Sequence, residues 1–300
     1  MIKIVNKYPI HQVLVYKGHV QNPLLGPYSY NIVKRIKMFN ELNKYREEIQ
    51  RPAWNVTTVA GEHLIDTLTT HNPQETLLVI PAGQSTNLDK VFSDDQIAMV
   101  KNFFNEGGRG YLTCGSAYWA SKKRVYKDLC TEQPEHANTI IKTSRLPLFQ
   151  GVAEGPLCPY PGKKYQVGFL SDAVKVTDGK DFCTIYLSGG GSFLLNQCTQ
   201  KVKVLVKYLP NELIQRGKQD WQQWQNAVIM APIGQGGVLL SMFHPYYGPN
   251  DIDVELYEKH FPQSECGTNW RKVKESLSPI DVRMQFVLKS MLNPLEDKDF

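Results

Sequence analysis

The chain is 300 residues long, 42% hydrophobic and 21% charged, with a formal charge of +5 at pH 7, a composition that suits a sizeable globular core and excludes a disordered or fibrous chain. Its lysines and arginines are scattered among acids, so it has no basic run suited to nucleic acid. Six cysteines without a CxxC pair exclude a disulfide scaffold, and with no run of about 18 apolar residues and no apolar signal core in MIKIVNKYPIHQVLVYKG, a soluble, cytoplasmic protein is expected.

His11 to Lys17 reads as a short strand, and Ile32, Ile36, Phe39 and Leu42 then recur at the spacing of one helix face, which predicts a helix from Tyr28 to about Ile49. A β-rich run, Trp54 to Val59, and a short helical stretch, Glu62 to Leu68, follow. Thr76 to Ile80 (TLLVI) is wholly apolar and breaks at Pro81-Ala82-Gly83, which puts a loop at a strand's carboxyl end, where open α/β sheets bind ligands. Ser93 and Gln96 make a capping box for a helix with the apolar stripe Ile97, Val100, Phe103 and Phe104, stopped at Gly107-Gly108. Gly110 to Cys114 is a strand that runs directly into a helix start, Gly-Ser-Ala-Tyr-Trp-Ala-Ser.

Beyond Lys122, Pro134, Pro147, Pro156, Pro159 and Pro161 mark loops and short strands. Val174–Val176, Phe182–Leu187 and Val202–Leu209 read as strands, and Lys201, Lys203 and Lys207 as the solvated face of the last one rather than a phosphate-binding patch. Gly189-Gly190-Gly191 reads first as a hairpin turn, with a ligand-approach loop as the alternative. Asn226–Ala231 and Gly237–Phe243 form a closing strand pair ending at His244-Pro245, and Val254–His260 and Asp281–Met291 are terminal helices. With no repeat or linker, residues 1–300 are expected to be one domain, with a core of about 11–247 and a helical extension of about 248–300. Trp270, Val273, Leu277, Val282, Phe286 and Leu288 in that extension are expected to cover the domain's own core rather than a second subunit.

A cysteine between a buried strand and a helix sits where the helix's positive end and free backbone N–H groups can stabilise a thiolate. At Cys114 the N–H of Gly115, with a second donor from the loop at Gly83, could hold an oxyanion. Among the seven histidines, His244 alone follows an apolar strand directly, which brings it within reach of Cys114 if the two strands are neighbours. By spacing alone, a buried packing cysteine and a satisfied core histidine remain the competing reading; Tyr118-Trp119 reads as core.

Ile80-Pro-Ala-Gly83, Asn105-Glu-Gly-Gly108 and Tyr111-Leu-Thr-Cys114-Gly-Ser-Ala-Tyr-Trp-Ala-Ser121 together resemble the N-terminal domain of eukaryotic-type biotin-protein ligases, a branch of the class I glutamine-amidotransferase-like superfamily. Pro147 to Pro156, Tyr186 to Phe193 and Gly237 to Pro245 are similar to that family's segments in order and spacing, so the resemblance covers roughly residues 11–247. It implies an α/β, flavodoxin-like three-layer fold of the class I glutamine amidotransferase type, with an insertion and C-terminal helices. It also implies a nucleophile at Cys114, a base at His244 and oxyanion donors around Gly83 and Gly115, with Ser116 beside them. Three positions depart from the superfamily's pattern: Leu112 and Ser116 stand where the elbow prefers glycine, and Tyr246 stands where a glutamate would complete the triad. Nothing resembles a biotinyl-adenylate loop, so the chain is not expected to biotinylate.

The leading expectation is a cysteine-dependent hydrolase or acyl-transfer protein acting on an amide-type C–N bond of a small molecule in the cleft near Cys114, with no cofactor and no metal. The alternative is a non-catalytic module that binds a small molecule or a partner in the same cleft.

Overall fold

The structure is a computed structural model that describes residues 9–18, 29–82, 85–127, 139–157, 171–260 and 268–297. Its first half alternates β1 (Gln12–Tyr16), α1 (Ser29–Glu48), β2 (Asn55–Val59), α2 (Leu64–Thr70), β3 (Thr76–Ile80), α3 (Ser85–Val91), α4 (Asp94–Asn105), β4 (Arg109–Thr113) and the short α5 (Gly115–Trp119). Then come β5 (Ser121–Lys127), β6 (Thr139–Thr143), β7 (Phe149–Gly155), β8 (Ser171–Thr177), β9 (Phe182–Ser188), β10 (Ser192–Leu194) and β11 (Lys203–Tyr208). α6 (Pro210–Gln215) and α7 (Trp221–Trp224) lead to β12 (Asn226–Ile233) and β13 (Gly236–Ser241).

Nine strands form one sheet in the order β2-β1-β3-β4-β13-β12-β11-β8-β9, and four form a second in the order β10-β7-β5-β6. In the large sheet the β2 to β13 half is parallel and the rest antiparallel. β3 and β4 lie inside the parallel half, buried along their whole length, which is why TLLVI shows no polar alternation. β11 alternates as its lysines suggest, with Lys203 and Lys207 exposed.

Two adjacent residues of β4 establish the layers. A Cβ on Gly110 would lie 2.8 Å from the Phe104 ring of α4, whereas Tyr111 meets Phe39 of α1, with ring centroids 6.5 Å apart. Successive strand residues face opposite sides, so α1 and α4 cover opposite faces and the architecture is a three-layer α/β fold. The expected capping box of α4 is present, with Ser93 and Gln96 bonding each other's backbone N–H. Among the described residues no helix is long and apolar enough to cross a membrane.

Gly189-Gly190-Gly191 is not a hairpin turn. β9 pairs with β8 in the large sheet and β10 with β7 in the small one, so the glycines carry the chain from one sheet to the other. Gly189 and Gly190 take φ of 63° and 64°, the left-handed region where a Cβ is costly. The helix expected over Asp281–Met291 is α10 (Ile280–Val287), a π-helical turn at Leu288–Leu292 and α11 (Asn293–Asp297). α8 (Val254–His260) lies where expected, and α9 (Trp270–Ser276), capped by the Asn269 side chain, was not foreseen.

The C-terminal helices are built into the core, with Met291, Leu292 and Leu295 all buried. Glu296, itself buried, accepts from Arg46 Nη1 and Nη2 at 2.6 and 3.0 Å, from the Ile10 N–H at 3.2 Å and from Arg51 at 3.0 Å. This carboxylate joins the chain's last helix to α1 and to the entry of β1. Removing one partner of a buried pair strands the other charge. Glu296→Ala is therefore expected to cost about 3 kcal/mol or more in urea unfolding; a loss under about 1 kcal/mol would show the network to be solvated.

Candidate active site

β4 ends in the middle of the parallel half, and the chain turns sharply through Cys114 into α5. Cys114 sits at φ 52° and ψ −116°, a region that costs a residue with a side chain roughly 1–3 kcal/mol. Its N–H donates to Ser241 O of β13 at 2.6 Å, and its carbonyl accepts from the Tyr118 N–H at 2.9 Å. Ser116 completes the clamp. Its buried hydroxyl accepts from the Thr113 N–H at 2.8 Å and lies 2.8 Å from Ile80 O and 2.9 Å from Thr113 O, either of which can take its proton. Ser116 thus acts as a structural clasp between β3 and β4, its hydroxyl proton and one lone pair committed to backbone. Leu112 is fully buried, and the turn remains sharp with it in place.

The half-buried Cys114 thiol donates to Ser188 O at 3.7 Å, and the N–H groups of Gly115 and Gly190 donate toward Sγ. Gly115 therefore lies where expected. Gly83 falls outside the described residues, and the N–H of Gly190, in the loop for which ligand approach was the alternative reading, is taken up by Ser188 O at 2.6 Å. The glycine loop is set by Tyr118 of α5, whose hydroxyl donates to Gly190 O at 2.8 Å. A Cβ on either Gly155 or Gly191 would lie 1.9 Å from that hydroxyl. The signal in the sequence was a glycine triplet directly after an apolar strand.

Burial pushes the Cys114 thiol up to about 11; the two N–H groups and the charge of Arg35 pull the other way and do not prevail. The helix tip therefore does not bring the thiol below its ordinary range. α5 spans five residues, and so short a helix has little dipole to set against desolvation.

His244 follows β13, the parallel neighbour of β4, so the expected proximity of the two strand ends holds. Its Nδ1 lies 2.6 Å from Tyr246 Oη, and Arg35 Nη2 donates to the same oxygen at 3.2 Å. Burial holds the Tyr246 phenol well above its ordinary range, so its proton stays on. Tyr246 Oη accepts from Arg35 and shares one further hydrogen bond with Nδ1; when the phenol gives that proton, the imidazole proton resides on Nε2.

Nε2 is buried without a hydrogen-bond partner, so the expected Cys114–His244 hydrogen bond is absent. Burial, followed by the charge of Arg35, drives His244 down to about 3. Asp251 does not stand in for the missing glutamate: it pairs with Lys34 and accepts from the Gly248 N–H, and Asp253 accepts from the Leu256 N–H.

Arg35 itself was not foreseen. It is fully buried, donates through Nη1 to Thr113 Oγ1 at 3.1 Å and lies 4.5 Å over the Tyr246 ring. Among the described residues no group of three or more His, Cys, Asp or Glu is placed to hold a metal ion.

A family profile described as "Biotin-protein ligase, N terminal" matches residues 28–296. A biotin-protein ligase of Schizosaccharomyces pombe is 25% identical over 177 residues, covering 57% of this chain and 25% of that protein, so the chain spans a quarter of that relative's length. A glutamine amidotransferase structure from Thermotoga maritima is similar over 95% of this chain and 97% of its own, with 11% identity and a TM-score of 0.47. A second glutamine amidotransferase structure is similar over 77% and 90% of the two chains, with 16% identity and a TM-score of 0.46.

Two expected outcomes follow from this geometry. Ser116→Ala removes three backbone-directed contacts at a buried site and should destabilise the fold by about 1–3 kcal/mol in denaturant titration; an unchanged midpoint would show that the elbow holds without its clasp. His244, at about 3 when folded against an ordinary 6.5, is neutral where the unfolded chain's histidine is protonated. Its contribution to stability is whole above pH 6.5 and is lost as the pH falls toward 3. Stability should drop more steeply on acidification in the wild type than in His244→Gln, by up to about 1.4 kcal/mol per pH unit; equal slopes would mean that the folded imidazole takes up the proton.

Proposed function

We propose that this chain, which belongs to the biotin-protein ligase N-terminal family on its match over residues 28–296, uses the Cys114 elbow to bind the carbonyl or carboxyl end of a small molecule without turning it over in the arrangement observed. Support comes from the hydrogen-bond chain Arg35 Nη2 to Tyr246 Oη to His244 Nδ1, which makes Nε2 a donor rather than a base. With the thiol near 11 and the imidazole near 3, proton transfer from Cys114 to His244 runs strongly uphill. The Gly115 N–H beside Sγ is suited to holding an oxygen, and the Gly190 N–H could join it by giving up its hydrogen bond to Ser188 O.

The second reading is a cysteine-dependent hydrolase or acyl-transfer protein acting on an amide C–N bond. The strained Cys114 backbone with the Gly115 N–H beside Sγ favours it, because such strain concentrates at functional sites. In that chemistry Cys114 Sγ bonds to the carbonyl carbon, the thiol proton passes to His244 Nε2 and on to the leaving nitrogen, and Gly115 and Gly190 hold the oxyanion. It requires the His244 proton to move from Nε2 to Nδ1, against the Tyr246 hydrogen bond. In either reading a reducing, cytoplasmic setting is proposed, in keeping with free Cys114, Cys183 and Cys198.

The pH profile of Cys114 alkylation by iodoacetamide, followed by mass spectrometry, separates the two. A neutral thiol predicts a rate that climbs about tenfold per pH unit, with no plateau below about pH 9, and little change in His244→Gln. A plateau near neutral pH that His244→Gln abolishes would replace the binding reading with the catalytic one.

A further inference from the structure

We propose that β2, at one end of the nine-stranded sheet, is a pairing edge for a second copy of this chain, the two β2 strands running antiparallel across a twofold axis at Thr57.

The other sheet edges are covered, short or charged. On the outer side of β9, Thr184 N–H donates to Ser278 Oγ at 2.9 Å, Thr184 O accepts from the Ser278 N–H at 3.0 Å, and Tyr186 O accepts from the His244 N–H at 2.9 Å. β10 is three residues long, and its Phe193 O accepts from Asn226 Nδ2 at 2.8 Å. β6 carries the exposed Lys142, and a lysine on an edge opposes pairing. β2, Asn-Val-Thr-Thr-Val, has no charge, proline or glycine, and its register with β1 contains no bulge. It lacks the lysine, the proline and the bulge that keep edge strands apart.

The open groups on this edge can be assigned one by one. Asn55 N–H donates to His11 O at 2.8 Å, and Val59 O accepts from the Lys17 N–H at 2.9 Å. Residues 55, 57 and 59 therefore turn their backbone groups toward β1, and Val56 and Thr58 turn theirs outward. The outward row is closed at both ends. Trp54 N–H donates to Asn43 Oδ1 at 2.8 Å and Trp54 O accepts from Asn43 Nδ2 at 2.9 Å, while Ala60 O accepts from the His63 N–H at 3.1 Å. Between these ends, nothing among the described residues pairs with the outward N–H and C=O groups of Val56 and Thr58.

That row is complementary to itself. In an antiparallel pair, two residues directly opposite each other can exchange both of their hydrogen bonds. An axis at Thr57 sets Val56 opposite Thr58 of the second copy, and Thr58 opposite Val56, so one register satisfies every open group of both strands. Thr57 then faces its own equivalent, a favourable cross-strand pair. A twofold axis also brings any nearby charge against its like, and β2 has none to repel. Its exposed side chains, Asn55, Thr57 and Thr58, are neutral and polar, and offer a foreign strand no ionic or apolar handle. β4 stands three strands in from β2, so the pairing is independent of what the Cys114 elbow binds.

Sedimentation equilibrium of the full chain over a concentration series should show a reversible dimer. Thr58→Pro removes an N–H that makes no bond within the chain, at an edge position where proline is tolerated. It should weaken the dimer by at least about tenfold with the circular dichroism unchanged, whereas Thr58→Val, which keeps the N–H, should dimerise like the wild type. If Thr58→Pro fails to fold, Thr58→Lys, at an exposed side chain, should have the same effect through like-charge repulsion. The register is read by cross-linking with diamide, which takes up the protons and electrons as a pair of thiols becomes a disulfide. Thr57→Cys should yield a covalent dimer, and Asn55→Cys, which faces Val59 of the second copy, should cross-link no more than the wild type. A monomer at every concentration, or a dimer that a folded Thr58→Pro leaves equally tight, would overturn the proposal. Cross-linking through Asn55→Cys in place of Thr57→Cys would overturn the register, and the self-complementary pairing with it.

Discussion

The molecule is organised around holding one side-chain-bearing residue in a backbone conformation that such residues avoid. Cys114 keeps φ 52° because the groups on either side of it are already committed: its N–H to Ser241, its carbonyl to Tyr118, and Thr113 and Ile80 to the hydroxyl of Ser116. Relaxing the turn would break buried hydrogen bonds that join β3, β4 and β13, the centre of the parallel half of the sheet. Each such loss costs about 1–3 kcal/mol when a buried group is left unpaired, which together exceeds the strain of one residue in this region. The elbow therefore persists without the glycines that would make it easy.

The antiparallel half and the second sheet bring the other wall of the site. β9 is the edge of the large sheet, and the chain leaves it through Gly189-Gly190-Gly191 to enter the small sheet at β10. That crossing passes Cys114, with Ser188 O accepting from the thiol and, at 2.6 Å, from the Gly190 N–H. Tyr118 holds the crossing in place from α5, and glycine at 155 and 191 leaves room for its hydroxyl. The same short helix thus begins at Cys114 and, through Tyr118, fixes the glycine crossing opposite it.

What could be read from the sequence follows the range of the interactions involved. The wholly apolar Thr76–Ile80 run and the Ser93/Gln96 cap are local signals, and both appear where expected. Cys114 and His244 could each be placed at a strand end, whereas the neighbourhood of the two strands was only a condition in the sequence and is supplied by the pairing of β4 with β13. Arg35 could not. On α1 it reads as one more charged residue of a solvated face, and its burial arises only when Tyr111 of β4 and Tyr246 after β13 close around it. The role of Ser116 was hidden for the same reason, since its contact at Ile80 comes from another strand. The glycine triplet was visible, but whether it turned within a sheet or crossed between two depended on pairings far apart in the chain.

Tyrosine in the place of a triad glutamate does more than weaken the triad; together with Arg35 it reverses the triad's direction. A carboxylate only accepts, so it holds the proton on Nδ1 and leaves Nε2 free to act as a base. Tyr246 accepts from a guanidinium that can only donate, and its own single proton then goes to Nδ1. With the phenol proton on that bond, the imidazole presents N–H where a catalytic histidine would present a lone pair. The cation behind it also opposes imidazolium formation, adding to the effect of burial. Restoring a base at this position would require a change at Arg35 as well as at Tyr246. With Arg35 in place, a glutamate at position 246 would be drawn into a salt bridge with the guanidinium, in competition with the Nδ1–H it would have to hold.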